Sequence, residues 1–200
     1  MCTLTVGWVN ELAAAAAARG AEFLDAPVTG SKVHAASGEL NFIVGGSAAA
    51  LERARPVLAA MSKSITHVGP AGSGALLKLI NNFLCGVQAA SLAEALALIE
   101  TSELDKTKAL EILTNGTPGS PLVKTVAPRM TARDYTPNFL LALMAKDLTY
   151  SIAEGERRGV RLATVATALE VFKQAMAKGL GEKDFSSVVE LVRSAKRNAG

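Results

Sequence analysis

A lysine and an asparagine stand four residues apart in Gly72-Ser73-Gly74-Ala75-Leu76-Leu77-Lys78-Leu79-Ile80-Asn81-Asn82, at the start of an apolar stretch entered through glycines. On a helix, positions i and i+4 lie on one face about one turn apart, so Lys78 and Asn82 reach into the same space. A cation and an amide on an otherwise apolar helix need a polar partner, and a polar small molecule is one candidate. The chemistry open to the pair is proton transfer. When hydride reduces an aldehyde, the developing alkoxide takes a proton, and a lysine ammonium can supply it. Asn82 can hydrogen-bond the same substrate or hold Lys78 in place. The plainer alternative is a surface lysine.

Two more segments carry chemistry. In Asp25-Ala26-Pro27-Val28-Thr29-Gly30-Ser31 a strand ends in proline, and a hydroxyl-glycine-hydroxyl turn leads into a helix start. Backbone N–H groups at such a turn, with the helix dipole, bind anions, and a substrate carboxylate is a natural guest. A tight turn with a simple N-cap is the competing reading. Farther on, Asn138-Phe139 and Lys146-Asp147-Leu148 place a charged pair beside the apolar positions Phe139, Leu140, Leu143, Met144 and Leu148. That pair is equally an ordinary salt bridge, worth little at a surface. His34 and His67 have no ligand-spaced partners. Cys2 and Cys85 are too few for a disulfide framework and fit no metal spacing. No metal is expected, and a reduced, cytoplasmic compartment is.

The elements that must position these residues read as follows. A helix spans 8–19 and stops at Gly20, and a short strand spans 22–26. A short helix ends near Ser37, and a strand covers 40–44. Ser47 caps a helix over 48–60, in which Pro56 implies a kink or early break. A third strand spans 64–68. This βαβαβ-like alternation predicts part of a parallel sheet with helical crossovers. One long helix then covers about 73–103, followed by helices at 105–114, 120–130, 140–158, 164–178 and 186–197. The fold class is therefore α/β plus all-α: a small sheet domain over 1–69, which the family resemblance below makes part of a Rossmann-type sheet, and a helical domain over 70–200, joined by the long helix.

The loop Gly69-Pro70-Ala71-Gly72-Ser73-Gly74 follows a strand and opens a helix, as a dinucleotide fingerprint does. Its spacing is not G-x-G-x-x-G, since the third glycine position is Leu77. No acidic residue ends a second strand about 20 residues on. The loop is not read as a pyrophosphate site; its glycines let the backbone approach something closely.

The chain has 200 residues, half of them hydrophobic and 4% aromatic, with a formal charge of +3. That mild charge, without a long basic run, argues against a nucleic-acid partner. The tail Arg193, Lys196, Arg197 reads as a solvated helix end. The apolar run 83–99 contains Gln88 and Glu94, which makes it a buried helix rather than a membrane span. No basic n-region opens the chain, so no secretory signal is expected.

Taken in order, these motifs resemble those of the β-hydroxyacid dehydrogenase family. Phe23-Leu24-Asp25-Ala26-Pro27-Val28-Thr29-Gly30-Ser31, with Gly38-Glu39-Leu40 and Val44-Gly45-Gly46, is similar to its substrate motif. Gly72-x-Gly74-x-x-x-Lys78-x-x-x-Asn82 resembles its catalytic motif. Lys146-Asp147-Leu148 and Gly181-Glu182-Lys183-Asp184-Phe185-Ser186 resemble its later segments. The resemblance implies an NAD- or NADP-dependent enzyme moving hydride between the nicotinamide and a small hydroxy acid or semialdehyde acid. Lys78 would be the general acid/base. Thr29, Gly30, Ser31 and Asn82 would hold the substrate carboxylate, with Phe139 and Asp147 lining the site. Lys146 and Thr3 would lie on the cofactor side, and the helical domain would form a homodimer or tetramer.

Two departures from the pattern matter. The family usually has serine and two glycines where this chain has Thr29-Gly30-Ser31, a variant that leans toward semialdehyde reductases. The family also opens with a strand and a G-x-G-x-x-G loop, and nothing of that kind precedes Thr29. The expectation is an N-terminally truncated member that keeps the substrate half-site and the dimer-forming helices and binds cofactor poorly. The alternative is a catalytically inactive helical dimerisation module.

Overall fold

The computed structural model describes residues 3–195 and divides into two compact units, Met1–Asn81 with Ala153–Gly159, and Asn82–Ile152 with Val160–Gly200. Cys2, Lys196 and Arg197 lie outside the described residues.

In the first unit, α1 (Val6–Ala17) starts where the Thr5 hydroxyl accepts the Trp8 N–H at 3.2 Å. It closes through Gly20 at φ +69°, with the Ala21 N–H reaching back to the Ala16 carbonyl at 3.0 Å. That left-handed closure is one a glycine adopts without strain.

The sheet departs from the expected parallel order. Both β1 (Leu24–Asp25) and β2 (Val28–Thr29) pair antiparallel with β3 (Leu40–Gly46). The pairs Leu24 with Gly46, Asp25 with Gly45, Val28 with Phe42 and Thr29 with Asn41 keep one register across the gap. The Ile43 N–H also bonds the Pro27 carbonyl at 2.9 Å. So β1 and β2 are one strand interrupted at Pro27, which has no N–H to give the ladder. The connection 30–39 contains only the five-residue α2 (Lys32–Ala36). A parallel crossover takes a dozen or more residues, so the chain returns antiparallel. Only the second crossover, β3 through α3 (Ala48–Ala59) to β4 (Ser62–Gly69), is parallel. Ser47 caps α3 by accepting the Ala50 N–H at 3.1 Å, and the helix runs through Pro56 without an early break. Leu40, Phe42, Val44 and Leu51 are buried together as this unit's core.

The long helix α4 (Ser73–Glu100) contributes 73–81 to the first unit and 82–100 to the second. It stops three residues short of the expected end, where the Thr101 and Ser102 N–H groups turn back to Leu98 and Ile99. Among the described residues it is the one helix long and apolar enough to cross a membrane by length and composition alone. Just under half of its most apolar window is buried inside the protein.

The second unit continues with α5 (Lys106–Asn115), α6 (Pro121–Ala132), α7 (Leu141–Arg157), α8 (Ala163–Ala177) and α9 (Val189–Ala195). Asp105 caps α5, and Ser120 caps α6 just ahead of Pro121, where a missing N–H costs nothing. The helix expected from 186 begins instead as a 3-10 turn, Phe185–Val188, because the Asp184 carboxylate takes the Ser186 N–H and tightens the entry. Leu96, Met130, Leu141, Met144, Leu148, Phe172 and Val188 are almost completely buried in this unit's core.

One polar knot ties the end of α4 to α9. The Arg193 guanidinium bonds the Glu100 carboxylate, the Glu190 carboxylate at 2.7 Å and the Met130 carbonyl at 3.1 Å. Its bond to Arg193 holds the Glu100 carboxyl below the ordinary range, against the opposing effect of burial. Burial pushes Glu190 upward, but hydrogen bonds from Tyr135 and Arg193 outweigh it and leave that carboxyl low. The Tyr135 phenol, half-buried and donating to Glu190 at 2.5 Å, is pushed well up, first by desolvation and then by that bond.

Candidate active site

Within the first unit, a cavity of about 190 Å³ opens beside the start of α4, with Thr3, Phe23, Asp25, Pro27, Ala75 and Lys78 among its lining. Drug-sized ligand pockets begin near ~300 Å³. The space therefore suits a molecule of a few carbons or a single ring, not a dinucleotide. Lys78 is half-buried and is the cation among these lining residues, which are otherwise apolar apart from Thr3 and Asp25. The structure thus brings Lys78 and Thr3 to one space.

The glycine-led entry to α4 is occupied from inside the protein. The first N–H groups of a helix have no partner within it and must find one elsewhere. Here the Asp25 carboxylate takes two of them: Oδ1 accepts the Gly72 N–H at 2.9 Å and Oδ2 the Ala75 N–H at 2.7 Å. Asp25 is 6% exposed. A carboxylate already sits where a phosphate would, so this helix start offers no seat for a pyrophosphate, in agreement with its spacing. The glycines give Asp25 room. A Cβ on Gly45 would come within 2.4 Å of Asp25 Oδ1, and one on Gly74 within 2.6 Å of the Ile43 carbonyl. The sequence alone assigns Asp25 no role. The readable signal was a helix whose first turn holds no acidic residue, beside a lone aspartate ending a strand.

The turn at 29–31 lies outside that cavity's lining. Thr29 is half-buried on β2, Gly30 is exposed at φ +126°, and Ser31 is the N-cap of α2. The Ser31 N–H donates to His34 Nδ1 at 3.1 Å, and Ser31 Oγ lies 2.9 Å from the same nitrogen. The turn's own histidine therefore engages donors that a carboxylate would use. His67, the other lone histidine, bonds the Gly46 carbonyl through Nε2 at 2.8 Å.

In the second unit, Asn82 and Asp147 meet. The Asn82 amide donates to Asp147 Oδ2 at 2.6 Å, and Lys146 Nζ stands 2.8 Å from Asp147 Oδ1. Asp147 is 1% exposed and Asn82 5%. A carboxylate accepts and does not donate, so the Asn82 NH₂ must face it and the amide oxygen must face away. Asp147 thereby fixes which end of Asn82 is presented. Lys146 is also 4.8 Å from the centre of the Tyr150 ring, a cation–π contact that aims the ammonium. Phe139 is packed edge-on to Phe185, ring centres 6.1 Å apart. The Asp184 carboxylate fixes its backbone by accepting the Asn138 and Phe139 N–H groups at 2.9 and 3.1 Å.

The chain matches two family models end to end. Residues 1–69 match the NAD binding domain of 6-phosphogluconate dehydrogenase. Residues 72–192 match the NAD-binding domain of NADP-dependent 3-hydroxyisobutyrate dehydrogenase. Glyoxylate/succinic semialdehyde reductase 1 of Arabidopsis thaliana is 34% identical over 178 residues, covering 89% of this chain and 62% of that protein. The 3-hydroxyisobutyrate dehydrogenase of Pseudomonas aeruginosa is 37% identical, covering 96% of this chain and 67% of its own length. Among solved structures, Mycobacterium tuberculosis 3-hydroxyisobutyrate dehydrogenase with L-serine superposes with a TM-score of 0.88 at 33% identity, over 96% of this chain and 68% of that one. The chain spans about three fifths of the length of most of the curated relatives it matches.

Proposed function

We propose, since the chain belongs to the β-hydroxyacid dehydrogenase family, that it carries the substrate-binding and proton-transferring parts of an NAD- or NADP-dependent oxidoreductase. The substrate is a small carboxylate-bearing hydroxy acid or the corresponding aldehyde acid. The observation that carries this reading is Lys78, an ammonium in the wall of a small apolar cavity beside Thr3.

The nicotinamide, when bound, supplies or accepts the hydride at the substrate carbon. Everything else falls to side chains of this chain. In the reductive direction the Lys78 ammonium gives its proton to the developing alkoxide, and in the oxidative direction the neutral amine takes the hydroxyl proton. The apolar wall keeps water from competing for that proton. Thr29, Gly30 and Ser31 hold the substrate carboxylate, which requires Ser31 to exchange His34 for the ligand. On the family resemblance, Asn82, whose amide faces Asp147, would bond the same substrate, with Phe139 and Asp147 as lining residues. Lys146 and Thr3 approach the cofactor. Its phosphates are not held at the start of α4, whose N–H groups are already bonded to Asp25.

We divide the chain for function at 69/70, place it in the cytoplasm, and expect a homodimer or tetramer built through the helical part. Support for the last point is a run of exposed apolar residues on α4, with Leu77, Leu84 and Leu98 at spacings that return to one helix face. The test is reduction of glyoxylate and succinic semialdehyde with NADPH and NADH, and oxidation of 3-hydroxyisobutyrate with NADP+ and NAD+, by the chain and by Lys78→Ala. The expected result is loss of turnover by about 10²-fold or more in the variant, the usual scale of a general acid. Equal turnover in the two proteins would refute the role of Lys78. A chain inactive with every pair would favour the dimerisation module.

A further inference from the structure

Asp25 and Lys78 line the same cavity, yet they come from different elements. Asp25 lies on β1 and Lys78 on α4, and Asp25 holds the first turn of α4 by its backbone. Ala75 is bonded to Asp25 and stands three residues before Lys78, which puts both on one helix face. A helix is free to slide along and rotate about its axis until something fixes its first turn. Here the two bonds reach Gly72 and Ala75, one on either side of Gly74. Gly74 itself packs so close to β1 and β3 that a Cβ would meet the Asp25 carbonyl at 2.9 Å. Height and rotation of the turn are thus set together, and with them the point and direction from which the Lys78 side chain leaves the helix.

We propose that Asp25 is the positioning residue for Lys78, acting through the α4 backbone by way of its bonds to the Gly72 and Ala75 N–H groups. The inference rests on the proposed role of Lys78. Its experiment is arranged to work without substrate or cofactor. In the intact chain, lysines are reductively ¹³C-methylated, and the Lys78 resonance is identified by its disappearance in Lys78→Arg. Hydrogen exchange of the Gly72 and Ala75 amides is measured alongside.

In Asp25→Asn, which keeps the shape and loses one acceptor, at least one of the two amides should exchange at least tenfold faster, and the Lys78 resonance should shift or split. Gly45→Ala keeps the carboxylate but crowds Oδ1, and should move the same resonance; it serves if Asp25→Asn does not fold. Where turnover is measurable, Asp25→Asn should lower kcat at least tenfold with KM changed less than threefold. The result that overturns the proposal is faster amide exchange with an unmoved Lys78 resonance, for then Asp25 only caps a helix. Unchanged turnover in Lys78→Ala would instead sink the function reading and leave the resonance to decide on Asp25.

Discussion

Replacing Gly74 by alanine should destabilise the protein by about 3 kcal/mol, whereas the same change at Gly86, twelve residues along the same helix, should move it by no more than about 1 kcal/mol. Gly86, inside the helix, gains helix propensity of roughly 0.8–1.0 kcal/mol on becoming alanine, and Gly74, second residue of α4, gains at most that. They differ in what the new methyl meets. At Gly74 it would stand 2.6 Å from the Ile43 carbonyl oxygen, and 2.9 Å from both the carbonyl and Oδ2 of Asp25. Two of these atoms are backbone, and the third is held by the Ala75 N–H, so relief requires moving α4 off the sheet. Overpacking costs roughly 1–3 kcal/mol, and losing one hydrogen bond to a charged group a further ~1.5–3 kcal/mol. Set against the propensity gain, the net is about 3 kcal/mol. At Gly86 the contacts are Leu148 Cδ2 at 2.9 Å and Met144 Sδ at 3.0 Å, side-chain ends rather than backbone, with no hydrogen bond to lose, so the propensity gain offsets most of the overpacking. The assay is urea unfolding followed at Trp8, the chain's single tryptophan, on α1 of the first unit. Circular dichroism at 222 nm reports the helices as a whole. A Gly74→Ala protein with the wild-type midpoint, or a Gly86→Ala protein equally damaged, would refute the reasoning.

Two further predictions concern the second unit. A double-mutant cycle on Asn82→Ala and Asp147→Asn should return a coupling of about 1.5–3 kcal/mol, the worth of a buried bond to a charge, and a coupling below about 0.5 kcal/mol would count against it. Arg193→Met should cost about 2 kcal/mol at neutral pH, discounted from a fully buried pair because the Glu100 and Glu190 carboxylates are only partly buried. Both carboxyls are held low in the folded state, so their contribution is complete above the ordinary glutamate value of roughly 4.3 and is lost as pH falls through the folded values. The gap between wild type and variant should therefore narrow on acidification, measured as Tm from pH 7 to pH 3; a constant gap would contradict it.

The helices were legible because their signals are local. Thr5, Ser47, Asp105 and Ser120 each cap a helix within three residues of themselves, and glycine or proline marks most stops. Pairing direction was not legible in the same way. Alternation of strand and helix suggests parallel order, and only the length of the connection 30–39 carried the contrary message. Pro27 was read as the end of a strand, whereas the register continues past it. At the site, the Lys78 and Asn82 spacing announced a shared helix face, but Asn82 spends its amide on Asp147, 65 residues away. Asp25 is a hard cap to read because its partners are 47 and 50 residues distant, and the acid-free first turn of α4 is the one local hint. Short-range patterns cannot report bonds of that span.

That distance also sets an order of assembly. A helix usually carries its own N-cap and can complete its first turn as soon as the local chain is made. The first turn of α4 borrows its acceptor from a strand that must itself pair with β3 before Asp25 is in place. Closing a loop of that length has to precede the turn, which makes it a late event in the chain's collapse. The middle and end of α4, packed through Ala89, Ala93 and Leu96, are under no such restriction. The helix should therefore grow from its far end toward Lys78, and the residue proposed to move the proton would be among the last on α4 to find its place.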